Sequence, residues 1–317
     1  MRIPIALAAF PLLTTFAPLA LFSQAEPPAR SLLAFTRVAL DEQDPSSRRV
    51  GRLLYLGGWA IRSNDPRFGG ISAMHVEDKD VTALSDAGSV IRFSLGSQEA
   101  SIQPLSAGPG SSSEKRNRDS ESLAVRKDRA WVGFEGVNEV WRYQRASWRR
   151  LASAAPAAMK KWPENAGSEA MLRLPDGRFL VFSEGRQVRG GTEALLFSRD
   201  PSEPQSQART IAYLPPKGYR ITDAALLADG RMLFLNRRFA LTEGVSAKLT
   251  LAPKLPSAAG ATLTGVEIAH LRPPLTVDNM EALSVTREGA RTIVWIASDD
   301  NFNSLQRTLL LKFALIE

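Results

Sequence analysis

Residues 168–185 read SEAMLRLPDGRFLVFSEG, two apolar runs either side of Pro-Asp-Gly with Glu169 and Glu184 at the outer ends. If the runs are paired antiparallel strands, the first begins and the second ends at the same edge. The two carboxylates then meet there, with the tight turn Asp176-Gly177 at the far end. Carboxylates held together repel one another and resist ionisation. They suit a bound cation, or a base tuned toward neutral pH.

The pattern recurs. GISAMHVEDKDVTALSDAG starts at Gly70, DSESLAVRKDRAWVGFEG at Asp119, ITDAALLADGRMLFLNRRF at Ile221 and NMEALSVTREGARTIVWIASDD at Asn279. Aligning their first polar positions gives Ser72, Glu121, Glu169, Asp223 and Glu281, at spacings of 49, 48, 54 and 58 residues. The hairpin argument pairs Glu121 with Glu135, Glu281 with Asp299 or Asp300, Ser72 with Asp86, and Asp223 with Asn236. One mouth of a repeat array would then be ringed by oxygen ligands. Calcium takes about six to eight oxygens in irregular geometry and fits this inventory. Internal compensation by Arg237, Arg238 and Arg307 is the rival solution, and acids dispersed over the surface the third. The candidate catalytic residues are therefore Glu121, Glu169 and Glu281. The candidate metal ligands are Asp86, Glu135, Glu184, Asp299 and Asp300, and the candidate anion-binding residues are Arg237, Arg238 and Arg307, whose guanidinium groups match phosphate or carboxylate at two points. The loop 107–118 carries Lys115, Arg116 and Arg118 toward Glu121. It reads first as a solvated loop, and otherwise as an overhang that draws in an anionic ligand.

The elements that would position these groups are short and β-rich. Each hairpin is followed by another strand-like run (SVIRFSL, EVWRYQ, ALLFS, AKLTLA, RTLLLKFAL), and often by a fourth such as SIQPL or RTIAYL. Four strands at a period near fifty residues predict an all-β propeller rather than a helical solenoid. Five repeats are clear. Residues 50–62 hold further strand material that would suit a sixth. The last repeat lacks a fourth strand, and residues 31–40 are the expected donor, closing the ring between the N- and C-terminal strands.

The 317 residues contain no cysteine, which excludes disulfides, thiolate zinc sites, iron–sulfur clusters and cysteine nucleophiles. His75 and His270 are the only histidines and read as structural; with no G-x-S-x-G present, serine hydrolase chemistry is not indicated. The net charge of +7 is scattered without a nucleic-acid motif, so no nucleic acid is expected as partner. No P-loop or strand-linked G-x-G-x-x-G occurs, so no nucleotide cofactor is expected. MRIPIALAAFPLLTTFAPLALFSQA has one cation, an apolar run broken by Pro4, Pro11 and Pro18, and small residues at 23 and 25. This predicts a signal peptide over 1–25 rather than a membrane anchor, and one mature domain over 26–317 without a membrane span, periplasmic or secreted from a bacterium.

Several segments carry a resemblance: DPRFGGISAM (65–74), ALSDAG (83–88), DSESLAV (119–125), GFEG (133–136), GRFLVFSEG (177–185), NRRF (236–239), NMEALSV (279–285) and SDDNFNSLQRTLLLKF (298–313). Together they resemble the bacterial phytase-like, esterase-like β-propeller family. The resemblance implies an exported propeller with ester or phosphoester hydrolysis and does not define the substrate; the candidate arginines make a small anionic ester or phosphoester the expected partner. Ser122 and Ala282 replace glycine where many members have it, and Asn236 stands where an acid is plausible. Three functions are open: metal-assisted hydrolysis of an ester or phosphoester, a non-catalytic ligand- or protein-binding propeller of the cell envelope, and, by architectural analogy, lactone hydrolysis.

Overall fold

The computed structural model describes residues 30–255 and 262–316; the expected signal peptide lies outside them. Strands β1 (Arg30–Arg37), β2 (Arg49–Val50) and β3 (Leu53–Ser63) come first. Blade 1 is β4 (Ile71–Glu77), β5 (Asp80–Ser85), β6 (Ser89–Ser94) and β7 (Glu99–Pro104). Blade 2 is β8 (Ser120–Arg126), β9 (Arg129–Phe134), β10 (Glu139–Gln144) and β11 (Arg150–Ala154). Blade 3 is β12 (Ser168–Arg173), β13 (Phe179–Val188), β14 (Gly191–Phe197) and β15 (Ala208–Leu214). Blade 4 starts with β16 (Arg220–Leu226), β17 (Met232–Ala240) and β18 (Gly244–Ala252). The short β19 (Thr262–Thr264) then adds in parallel to β15, and β20 (Val266–Leu271) completes blade 4. Blade 5 is β21 (Met280–Glu288), β22 (Arg291–Ser298) and β23 (Thr308–Leu315), completed by β3.

Each blade is an antiparallel meander, and the first strands β4, β8, β12, β16 and β21 touch in sequence around the axis, β21 closing on β4. The turn chemistry agrees with the sequence. Gly177 and Gly230 adopt φ of 92° and 87°, and Asp176 and Asp229 accept hydrogen bonds from the backbone N–H of Arg178 and Arg231. Five apolar clusters fill the five gaps between neighbouring blades. Leu172 and Phe182 of blade 3 pack with Phe234 of blade 4, for example, and Ile71 and Met74 of blade 1 with Trp295 of blade 5. Both faces of every blade are thus covered, so central strands read as continuous apolar runs.

The ring closes between the two ends of the chain, as expected, but with a different strand. Leu310 pairs with Trp59 of β3, so residues 53–63 supply the fourth strand of blade 5. They form no sixth blade. β1, expected in that place, lies outside β3 and also pairs with β7 of blade 1, welding the outer edges of two blades together. Among the described residues, no helix is long and apolar enough to cross a membrane.

Candidate functional site

In every blade the ladder between the first two strands slips by one residue near the same end of the channel. The residue left over is Ser72, Glu121, Glu169, Thr222 or Glu281 in blades 1 to 5. Such a bulge sets two residues against one and re-aims the extra side chain. Three of the five are glutamates, and all three line one cavity of about 450 Å³. One residue past the pair that flanks each bulge stands another ring, Asp86, Glu135, Glu184, Arg237 and Asp299, of which Arg237 is still paired, with Arg220. All five line the same cavity. Its acids are pinned by their own backbone, since the N–H groups of Asp86, Glu135, Glu184 and Asp299 donate to the carbonyls of Gly70, Asp119, Gly167 and Asn279 at 2.8–3.2 Å.

Blade 4 corrects the sequence alignment by one position. Its bulged residue is Thr222, not Asp223, and the partner in the second ring is Arg237, not Asn236. Thr222 Oγ1 donates to the Met280 carbonyl at 3.2 Å, as Ser72 Oγ does to the Ser120 carbonyl at 2.5 Å, so the two hydroxyl bulges tie adjacent blades. Asp223 turns away from the cavity and accepts backbone N–H bonds from Ala224 and Leu283, each at 2.7 Å, linking blades 4 and 5. Asn236 is buried and accepts from the Tyr213 hydroxyl at 2.7 Å.

The electrostatics follow from crowding. Burial, reinforced by neighbouring acids, holds Glu121 and Glu169 well above the usual carboxylate range. Burial lifts Glu281 to about 8, opposed chiefly by Arg237. Asp299 is lifted to about 7 by burial against the backbone bond from Asn301, and Glu135 to about 6 by burial. Arg237 is the inner counter-charge. Its Nε lies 3.1 Å from Glu281 Oε1, its Nη2 3.8 Å from Glu184 Oε1, and its Nη1 donates to Asn279 Oδ1 at 2.7 Å. Lys115 donates to Asp86 Oδ2 at 2.9 Å from the short 3-10 turn Lys115–Asn117, so the loop does overhang the mouth.

One important side chain escaped the sequence reading. Asp119, Glu121 and Glu135 present carboxylate oxygens that all lie within 4.8 Å of one another, an arrangement able to hold a metal ion. Asp119 stands two residues before the bulged glutamate, where the other repeats carry Gly70, Gly167, Arg220 and Asn279. Its carboxyl is raised by burial and moderated by Lys115.

The structure does not bring Asp300, Arg238 or Arg307 to this cavity. Asp300 accepts from Gly70 N, Phe302 N and Thr308 Oγ1 at 2.7–3.1 Å and serves the loop. Arg238 pairs with Glu243 at 3.4 Å and lies over the Tyr219 ring. Arg307 reaches Glu42 and Asp278 at 3.2 and 3.7 Å. Neither histidine lines the cavity; burial drives His75 down to about 4, and His270 Nε2 bonds the Tyr219 hydroxyl at 2.8 Å.

A family profile described as phytase-like, esterase-like activity of phytase, matches residues 66–302. The chain belongs to that family. No curated protein matches this phytase-like chain significantly. Among solved structures it is similar to Myxococcus xanthus glutaminyl cyclase, with a TM-score of 0.48 and 10% identity over 85% of this chain and 100% of that one. A thermostable family-43 glycoside hydrolase gives 0.44 and 12% over 77% and 89%. A chain of a nidogen–laminin complex gives 0.43 and 11% over 89% and 96%.

Proposed function

We propose that this phytase-like propeller is an exported, metal-assisted hydrolase of a small anionic ester or phosphoester. The observation that carries the reading is the convergence of Asp119, Glu121 and Glu135 within 4.8 Å beside a cavity whose other wall holds Glu281 and Arg237. Hard oxygen donors without nitrogen or sulfur suit calcium better than a transition metal. A calcium ion held by Asp119, Glu121 and Glu135 would supply Lewis-acid polarisation of the substrate's phosphoryl or carbonyl oxygen.

The chain's own groups do the rest. Glu281, with a carboxyl lifted to about 8, is the base that accepts a proton from the attacking water. Arg237 holds it in place and offers its guanidinium edge to the charge that develops on the substrate. Glu169, buried beside Glu121 and Glu184 and held well above the usual carboxylate range, steadies the ring. Lys115, mostly exposed at the rim, draws the anionic substrate toward the mouth.

The test is a panel of carboxyl esters and phosphomonoesters assayed with calcium and with chelator, alongside calcium titration of the wild type and Glu121→Gln. Turnover that needs calcium and is lost in both Glu281→Gln and Glu121→Gln supports the reading. Full activity in chelator removes the metal. Saturable binding without turnover of any ester returns the protein to the class of binding propellers.

A further inference from the structure

A second cavity, about 590 Å³, opens on the same face between blades 2 and 3. It is built from the β9–β10 turn (Gly136, Val137, Asn138) and the connection from β11 to β12, which carries Pro156, Ala157, Lys160 and Trp162. Arg116 belongs to the walls of both this groove and the acidic cavity, so the two are neighbours across one side chain.

The groove has three distinct characters. Its floor is apolar: Pro156 and Trp162 are buried and Val137 is half-buried. The Trp162 indole is spent on Glu193, to which its Nε1 donates at 2.8 Å, so only its surface serves the groove. The rim is basic, with Lys160 and Arg116 exposed and Glu164 opposing Arg116 at 3.7 Å. Between them Asn138, in a left-handed conformation at φ 54°, donates through Nδ2 to the Trp162 carbonyl at 3.0 Å, while its buried Oδ1 has no hydrogen-bond partner. That acceptor is closed off beneath the groove, packed against Gly167.

We infer that this groove is the leaving-group subsite: it takes the alcohol half of the ester, an apolar, aromatic-sized body bearing one anionic substituent. The inference rests on the hydrolase reading for the reacting bond. The reacting group sits in the acidic cavity, and the alcohol lies past Arg116 over Pro156 and Trp162 with its anion toward Lys160. Burying the apolar body of the right substrate gives selectivity that the acidic cavity alone does not provide.

The experiment uses the intact mature protein, Ala157→Trp, which fills the groove from an exposed position, and Lys160→Ala. The probes are methyl, phenyl and 4-carboxyphenyl esters of acetic and phosphoric acid. The product alcohol 4-hydroxybenzoate is followed separately by saturation-transfer NMR. Ala157→Trp is expected to lower kcat/KM for the aryl esters by about tenfold or more while leaving methyl esters unchanged. Lys160→Ala should lower only the 4-carboxyphenyl esters, by about threefold. Both variants should weaken 4-hydroxybenzoate binding. Equal effects on methyl and aryl esters, or wild-type 4-hydroxybenzoate binding in both variants, overturn the subsite. Groove-dependent binding of 4-hydroxybenzoate without turnover of any ester keeps the subsite and overturns only the hydrolase.

Discussion

The Arg237 guanidinium stands 3.1 Å from the Glu281 carboxylate, joining the second-ring position of blade 4 to the bulged glutamate of blade 5. The other four blades place Asp86, Glu135, Glu184 and Asp299 where blade 4 has Arg237. This one cation in an otherwise acidic ring offsets the inner acids of the metal-free cavity, as Lys115 offsets Asp86 at the rim. Replacing Arg237 with Gln should therefore cost about 2–3 kcal/mol of stability in chelator, because Glu184 and Glu281 lose their shared partner. Urea denaturation reads this directly, and an unchanged midpoint would contradict it.

The metal-free protein should lose stability as pH rises. Glu281 goes from an ordinary 4.5 to about 8 in the fold, Asp299 from 3.8 to about 7 and Glu135 from 4.5 to about 6. Between those limits the folded chain holds more protons than the unfolded one. The contribution is full below about pH 4 and has been lost by about pH 8. Thermal melts in chelator should show this decline, and calcium should flatten it. A melting temperature that climbs from pH 5 to pH 8 without metal would refute the crowding described for the cavity.

Glu121→Gln removes one charge from the Asp119–Glu121–Glu135 cluster and keeps its shape. Without metal it should be more stable than the wild type by about 1 kcal/mol, since a repelled carboxylate is gone. Its calcium affinity should fall by about tenfold or more. Opposite signs for stability and affinity distinguish a ligand from a packing residue. Calorimetric titration beside melts in chelator measures both.

Asp223 provides the contrast. Asp223→Ala leaves the Ala224 and Leu283 N–H groups without their acceptor and should cost about 2–3 kcal/mol. Calcium affinity should stay at the wild-type value, because Asp223 faces away from the cavity. A large loss of affinity with little loss of stability would return Asp223 to the site.

The repeat, its hairpins and the edge at which acids gather were legible because Asp-Gly turns and apolar runs carry that information locally. The one-residue bulge was not. Both faces of a blade are buried, so Ile221, Thr222, Asp223, Ala224 and Ala225 are all buried and no alternation marks which of them slips. Reading Asp223 for Thr222 carried the error across the hairpin to Asn236 in place of Arg237. Arg238 and Asp300 were misplaced by a related route. Each adjoins a true wall residue, and neighbours along an extended chain point to opposite sides. Asp119 carries no repeat signal, because the equivalent positions hold Gly70, Gly167, Arg220 and Asn279.

The pairing of β3 with β23 bears on how the protein is made. Strand β3 is synthesised before blades 1 to 4 and its partner β23 after them, so blade 5 stays incomplete while all four emerge. Until then β3 has β1 along one side only, and its other backbone edge offers a template to any passing strand. The seam that locks the finished ring is, during biosynthesis, its most vulnerable edge.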